Sequence, residues 1–526
     1  MRIGVVGERR ELENTLGPGF VLELPSDIVL ALADRMSLPW LVHTIRVHNL
    51  TGLVIIACDE ADAWQRGQEA LRRSGQDPFA LRLVNLADLG APGRHTPSAA
   101  PRAARLVAAA AAMVRQYPWL RPANVRIRLR LGGLRGRLTR RDILRAPKPR
   151  YDVIPAVDPA LCSASRGCDL CQTACPYNAL STDGLAATVD KDRCRNCGLC
   201  LPICPSGALQ HPYYQPQVLD AGLAVLLAPS NEEPPVAAFV CPSAKAAMRD
   251  ALRRQLPGPT DVLPLEMPSA GFFHLYLALR AFDLGASGVA LVHCDGECGR
   301  ACDSRLLGQR LESLQAILDA LGLGACRLAA IPASSPRRLA DSLAAFASLL
   351  SAKGPAPLGG PPLSGPSAGQ GSATARLIAA LWRKASAATG HPVAHEELPF
   401  GQPHLDEAAC SLCHLCADAC PTGALRYDET PSAAALEFVA SLCTGCRLCS
   451  RACPEGALSI HRRLVPSLLS DPPSILKTSG VRSCPKCRRS YATDAIVMRV
   501  LTRLGRRAAI LDTSYCPDCR MIAGLG

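Results

Sequence analysis

The chain has 526 residues, of which 48% are apolar, and a formal charge of +13. It is too long for one core and holds apolar material for several, yet no run of about 18 consecutive apolar residues marks a membrane-spanning helix. It opens MRIGVVGERRELE, without an apolar leader, and carries 26 cysteines; these point to metal sites in a reducing, cytoplasmic setting rather than to disulfides.

Residues 1–150 read as an α/β domain. GLVIIACDE (Gly52 to Glu60) is an apolar strand that ends in Cys58, and AWQRGQEALRRSG follows it as a helix. FALRLVNLADL is a second strand with its turn, and APRAARLVAAAAAMVRQY is an Ala-rich helix. Between Arg121 and Arg150 stand ten Arg and one Lys against a single acid, Asp142. A solvated face, or an anchor for acidic neighbours, accounts for this stretch better than nucleic-acid binding.

Residues 151–215 contain two cysteine runs. Cys194-x2-Cys197-x2-Cys200-x3-Cys204-Pro205 has the spacing of a bacterial ferredoxin run, C-x2-C-x2-C-x3-C-P. The run before it is irregular. Cys168-x2-Cys171-x3-Cys175-Pro176 is in order, but Ser165 stands where the first cysteine belongs, and Cys162 lies three residues earlier. Thiolate is a softer and better iron ligand than a serine oxygen. A longer first loop, eased by Gly167, would bring Cys162 in. The fourth cysteine of each run crosses to the other cluster. This predicts one [4Fe–4S] cluster on Cys162, Cys168, Cys171 and Cys204, and a second on Cys194, Cys197, Cys200 and Cys175.

Residues 216–350 return to α/β. AFDLGASGVALVHC reads as a helix end, a Gly turn and a strand running into Cys294, and SRLLGQRLESLQAILDALGLG as an amphipathic helix. Residues 351–396 are a linker and a short helix. The Pro-, Gly- and Ser-rich part, 351–375, predicts a flexible tether that lets the second pair of cysteine runs move relative to the first.

Residues 397–465 hold two regular runs. They predict one cluster on Cys410, Cys413, Cys416 and Cys453 and another on Cys443, Cys446, Cys449 and Cys420. Residues 466–526 close the chain with Cys484-x2-Cys487 and Cys516-x2-Cys519, two knuckles able to form a tetrahedral site for zinc or iron. The expected fold class is multidomain, α/β plus α+β. It comprises two ferredoxin-like 2[4Fe–4S] modules, two α/β domains and a small C-terminal double-CxxC domain. With four clusters loaded the charge falls to about +5, counting −1 per thiolate and +2 per core. The basic balance is then weak evidence for nucleic acid.

Two resemblances add to this reading. LPFGQPHLDEAACSLCHLCADACPTGALRYDETPSAAALEFVASLCTGCRLCSRACPEGAL resembles the C-terminal ferredoxin of a family of large bacterial 4Fe–4S binding proteins. That family also has a stretched first loop in its first module and ends in two C-x2-C pairs, the second followed by Arg, here Arg520. AFDLGASGVALVHCDGEC resembles the delta subunit of methyl-viologen-reducing hydrogenase, the hydrogenase iron–sulfur subunit. The resemblance implies a [2Fe–2S] cluster, with Cys241, Cys294 and Cys298 in matching places. Ala244 replaces one ligand and Met267 stands near another, while Cys302 is extra and could restore a fourth. The alternative is a degenerate docking domain whose cysteines pack in a core.

A third, shorter stretch, VIIACDEADAWQRGQEALRRSGQDPFALRLVNLADL, resembles the N-terminal part of the A-type subunit of heterodisulfide reductase and puts Cys58 at a cysteine position of that family. Its flavin loop, G-x-G-x-x-G, has no counterpart here, so no flavin is expected, and a buried structural role for Cys58 is equally open. Cys326 reads as a core residue. No P-loop or nucleophile elbow is present, and eleven His are scattered without a ligand pattern. The expectation is an electron-transfer polypeptide without a catalytic site of its own. It would relay electrons through four [4Fe–4S] clusters between a dehydrogenase- or hydrogenase-type redox partner and an acceptor, with no nucleic acid and no membrane span. The alternative is the catalytic subunit of a heterodisulfide-reductase-like enzyme acting at an unusual cluster near Cys294.

Overall fold

A computed structural model of the chain describes residues 2–89, 99–117, 125–130, 148–211, 215–228, 235–254, 256, 262–294, 305–356, 358, 360–363, 370–385, 388–389, 391–469, 472–505 and 512–522. Most of the basic stretch, together with Cys298 and Cys302, lies outside the described residues.

Short apolar runs bounded by turns build two parallel sheets. In the first, β1 (Ile3–Glu8) lies between β2 (Ile28–Ala33) and β3 (Gly52–Ala57), and β4 (Leu81–Asn85) pairs with the far side of β3. Every residue of β3 is buried, as a parallel strand covered on both faces requires. Helices α1 (Glu60–Arg73) and α2 (Ala99–Arg115) pack against this sheet. β1 and β2 are absent from the sequence-based expectation. IGVVGE is short and carries two glycines, Gly4 and Gly7, so nothing in it separates a strand from a loop.

After the first cysteine module, α3 (Pro216–Leu226) packs on α2 and joins the two halves. The second sheet then repeats the first in topology. β5 (Val236–Val240) lies between β6 (Val262–Glu266) and β7 (Gly288–His293), with β8 (Leu328–Pro332) beyond β7. The connecting helices are α4 (Pro242–Arg253), α5 (Leu275–Asp283) and α6 (Arg305–Ala320), and α7 (Pro336–Lys353) follows. The two sheets share a buried ionic cluster. Lys245 on α4 bridges Asp88 at 3.0 Å and Glu266 at 2.7 Å, and Arg249, one turn on, bridges Asp88 at 2.7 Å and also Glu60.

The expected tether is seated where it is described. The Leu363 N–H donates to the fully buried Asp283 carboxylate at 2.9 Å, and the Leu363 carbonyl accepts from Arg280 at 2.9 Å. Lys384 also bridges Asp283. Helix α8 (Gln370–Lys384) begins inside the stretch read as flexible. It packs on α5 on one side, and on residues 440–442 of the second module and 466–469 just beyond it on the other. Apolar Ala375, Leu377, Ile378 and Leu381 are buried there. Their helical spacing outweighs the Gly and Ser content before them.

Each cysteine module has the same small frame. In the first, residues 156–157 pair with 209–210 and 180–182 with 187–189; in the second, 402–405 pair with 458–461 and 425–429 with 433–438. The second module's hairpin continues into 474–483 and 490–493, which belong to the C-terminal part, so one four-stranded sheet spans both. Among the described residues, no helix is long and apolar enough to cross a membrane.

Candidate metal centres

The three regular runs share a backbone device. Residues two and four places after the first cysteine have positive φ: Asn196 and Gly198, Leu412 and His414, Gly445 and Arg447. Left-handed residues at alternate positions turn successive N–H groups inward, forming the concave nests that bind anions and iron–sulfur centres. Leu412 at φ 55 is a marked departure for a bulky side chain. Such a conformation costs about 1–2 kcal/mol and is held by its surroundings at functional sites. The Leu412 N–H donates to the Cys410 Sγ at 3.4 Å.

The irregular run is built otherwise. Residues 164–166 form one 3-10 turn, closed by Gly167 at φ 79. The Ser163 carbonyl accepts from both the Arg166 and Cys168 N–H groups. Ser165 is exposed. The Cys162 Sγ accepts from the Ala187 N–H at 3.3 Å and lines one pocket with Cys168, Cys171 and Cys204.

A second pocket gathers Cys175, Cys194, Cys197 and Cys200, and a third gathers Cys410, Cys413, Cys416 and Cys453. Cys443, Cys446, Cys449 and Cys420 also meet, since the other three all act on the Cys449 thiol. Burial, and then repulsion among these neighbours, pushes Cys171, Cys416, Cys443 and Cys449 up to about 12 and Cys197 up to about 11. Thiols as buried and crowded as these five resist ionisation unless a cationic centre offsets their charge, so the donor sets suit iron. Further sulfur contacts come from the Ala179 N–H to Cys175 at 3.3 Å, Ser206 to Cys204 at 3.7 Å and Thr422 to Cys420 at 3.6 Å. Hydrogen bonds of this kind tune cluster potential.

The C-terminal set is tighter. The Sγ atoms of Cys484, Cys487, Cys516 and Cys519 all lie within 4.8 Å of one another, and those of Cys487 and Cys516 are 3.7 Å apart. A tetrahedral ion with metal–sulfur bonds of about 2.3 Å sets its sulfurs about 3.8 Å apart. Among the described residues no other group comes together this closely. The spacing therefore fits a single ion, whereas thiolates on the separate irons of a cubane must stand wider. Burial opposes ionisation of Cys484, but backbone N–H groups, first that of Cys516 and then those of Cys487 and Lys486, outweigh it and hold the thiol below its usual range.

At the second sheet, Cys241 follows β5, Met267 follows β6 and Cys294 follows β7, all buried at the carboxyl edge. In open α/β sheets that edge is where ligands bind. Cys58 follows β3, the strand equivalent to β7. It is exposed, which removes the buried structural reading, and its thiol interacts with Glu11. Cys326 is half-buried on a 3-10 turn rather than in a core.

A cavity of about 110 Å3 lies where the two modules meet. Leu170 and Cys204 of the first module line it, as do Thr444, Cys446 and Arg462 of the second. Arg310 on α6 also faces it, donating to the Leu199 carbonyl at 2.8 Å and the Gly271 carbonyl at 3.4 Å. Burial lowers the Arg310 guanidinium to about 10, and Glu397 and the Cys200 and Cys197 thiols partly offset this. Neither the cavity nor Arg310 has a signal in the sequence, since the Arg310–Leu199 contact joins residues 111 places apart.

Comparison with known proteins defines the class. Residues 162–208 and 404–462 match the 4Fe-4S dicluster domain family, and residues 236–353 match the methyl-viologen-reducing hydrogenase delta subunit family. The chain thus has a mixed α/β fold with ferredoxin-type dicluster domains and an iron–sulfur electron-transfer role linked to hydrogenase-type subunits. A particular relative is the vhu iron-sulfur subunit of the F420-non-reducing hydrogenase of Methanococcus voltae. It is 29% identical over 98 residues, which cover 18% of this chain and 73% of the relative.

Proposed function

We propose that the chain is a relay carrying four [4Fe–4S] clusters, passing electrons between a hydrogenase- or dehydrogenase-type partner and an acceptor protein. The observation that carries this reading is the gathering of sixteen cysteines into four sets, each with three members from one run and one from its partner run. When bound, such a cluster exchanges single electrons without binding substrate. The chain's residues would hold it by thiolates, bend N–H groups toward it and keep it in an apolar pocket. Cys162 would serve in place of Ser165. The C-terminal set would hold one zinc or iron ion, and its closeness to the second module's sheet suggests a structural part in bracing that module. The similarity to a hydrogenase iron–sulfur subunit supports a redox partner at the second sheet, where Cys241 and Cys294 would take part in any further cluster.

The test is anaerobic purification with iron, sulfide and zinc analysis. About sixteen cluster irons are expected, four in each of four clusters, together with one further zinc or iron and no flavin. A low-potential reductant should bleach the visible absorbance. Dye reduction with formate, hydrogen or a thiol as sole reductant and no partner present would overturn the relay reading in favour of a catalytic one.

A further inference from the structure

We infer that the four thiol sets stand in one series, so that the two modules act as a single four-station conductor joined through the Cys168 and Cys446 loops. The order runs from the Cys194 set to the Cys162 set, across to the Cys443 set, and on to the Cys410 set. This rests on the relay reading above and adds the order of its stations and their neighbours at the two ends.

Each link has a contact. Cys175, from the Cys168 run, lines the Cys194 pocket, and Cys204, from the Cys194 run, lines the Cys162 pocket; Cys453, from the Cys443 run, likewise lines the Cys410 pocket. The first and third links lie within a module. The second joins the modules, and three observations place the Cys162 and Cys443 sets together. Arg166, inside the stretched loop, donates to the Cys420 carbonyl at 3.3 Å. Asp169, beside Cys168, pairs with Arg451 at 3.0 Å. Cys204 and Cys446 line one cavity. The Arg451–Asp169 pair is about half exposed on both sides and is by itself a weak link. Helix α8 supplies the firmer link, because it packs against both α5 and the second module.

The ends of the series face different neighbours. At the Cys194 end, Gly198 at φ 81 leaves no room for a Cβ, which would lie 2.2 Å from Phe272. A Cβ on Gly271 would lie 2.3 Å from the Cys197 carbonyl oxygen. This end is therefore pressed against the hydrogenase-delta-like domain, a few residues beyond Met267 at the edge that carries Cys241 and Cys294. At the Cys410 end, Glu455 follows Cys453-Pro454 and pairs with Arg499 at 2.8 Å and Arg503 at 2.6 Å, both on the helix that precedes Cys516.

The test is electron paramagnetic resonance of fully reduced protein in two quadruple variants. The first combines Cys194→Ala and Cys197→Ala with Cys410→Ala and Cys416→Ala, leaving only the two inner stations. The second combines Cys168→Ala and Cys171→Ala with Cys443→Ala and Cys449→Ala, leaving only the outer ones. Each should retain about eight irons. The inner pair should show spin–spin splitting and the outer pair two unsplit signals. An unsplit inner pair, or a split outer pair, overturns the series while leaving the relay reading intact. Absence of cluster iron from wild-type protein would instead defeat the relay reading. A milder variant, Arg166→Glu with Arg451→Glu, keeps every thiol. It should hold about sixteen irons and show weaker inter-module splitting; splitting of wild-type size at full iron content counts against the junction.

Discussion

The run from Cys162 to Cys175 and the run from Cys410 to Cys420 collect their thiols by different backbone routes. The second holds Leu412 and His414 in left-handed conformations to aim N–H groups at sulfur. The first has one left-handed residue, Gly167, at the end of a 3-10 turn. The regular loop accepts strain at side-chain-bearing residues. The stretched loop avoids it by taking three more residues and a glycine. A cysteine pattern that departs from the rule is therefore an alternative loop, and its ligand is to be sought at the distance the turn allows.

The largest expected effect separates the two candidates in the stretched loop. Cys162→Ala should lose about four irons, as Cys410→Ala should in the regular loop, while Ser165→Ala should lose none. Iron analysis of the anaerobic proteins decides it, and iron lost on changing Ser165 would make the two loops unlike in ligand as well as in path.

A middle-sized effect concerns acid. His211 is buried with its Nε2 3.2 Å from the Val153 carbonyl, and burial lowers its imidazole to about 3. In the second module Ile460 occupies the matching place, seven residues after the run's last cysteine. The folded pKa lies below the ordinary value of about 6.5, so the neutral ring is the form that folds. Its contribution is complete above about 6.5 and falls as the pH drops toward 3, by up to about 1.4 kcal/mol per unit. The first module should release iron at higher pH than the second. His211→Ile should narrow the gap, since the Val153 carbonyl keeps the Asn196 amide at 3.0 Å. Iron release followed from neutral pH down to about 4, through the window this shift defines, tests the point, and equal release from both modules would refute it.

The smallest effects should have opposite signs. Gly167→Ala places a Cβ in open space but at φ 79, and should destabilise the first module by about 1 kcal/mol. Arg447→Gly removes an exposed side chain at φ 63 and should be neutral or stabilise the second by a similar amount, because glycine's unfolded-state entropy offsets part of the gain. Urea midpoints for loss of cluster absorbance measure both.

What could be read without coordinates follows from where each property is encoded. Ligand chemistry dictates cysteine spacing, so the four runs and the two knuckles stand in the primary structure. The strand Gly288–His293 and helix Glu60–Arg73 have local apolar patterns and fall where expected. The strand Ile3–Glu8 has no such pattern, and its central place in a sheet is a tertiary fact. Composition misleads at the tether because Gly and Ser before Ala375 mask a buried helical stripe and because Asp283 lies far from Leu363 in the chain. The meeting of Arg166 with Cys420 spans 254 residues, and no period or spacing carries it.

The ionic cluster beneath the two parallel sheets has a consequence for dividing the molecule. Asp88 comes from the first sheet's side and Lys245 and Arg249 from the second's, and all three side chains are at most 13% exposed. A fragment ending near residue 150 would leave Asp88 without either cation, and one beginning near residue 216 would leave Arg249 without either acid. Cutting the molecule there would separate these pairs and also uncover the apolar faces by which α2 and α3 pack on one another. The two halves, though separated in the chain by a whole cysteine module, thus stabilise one another across a shared interface.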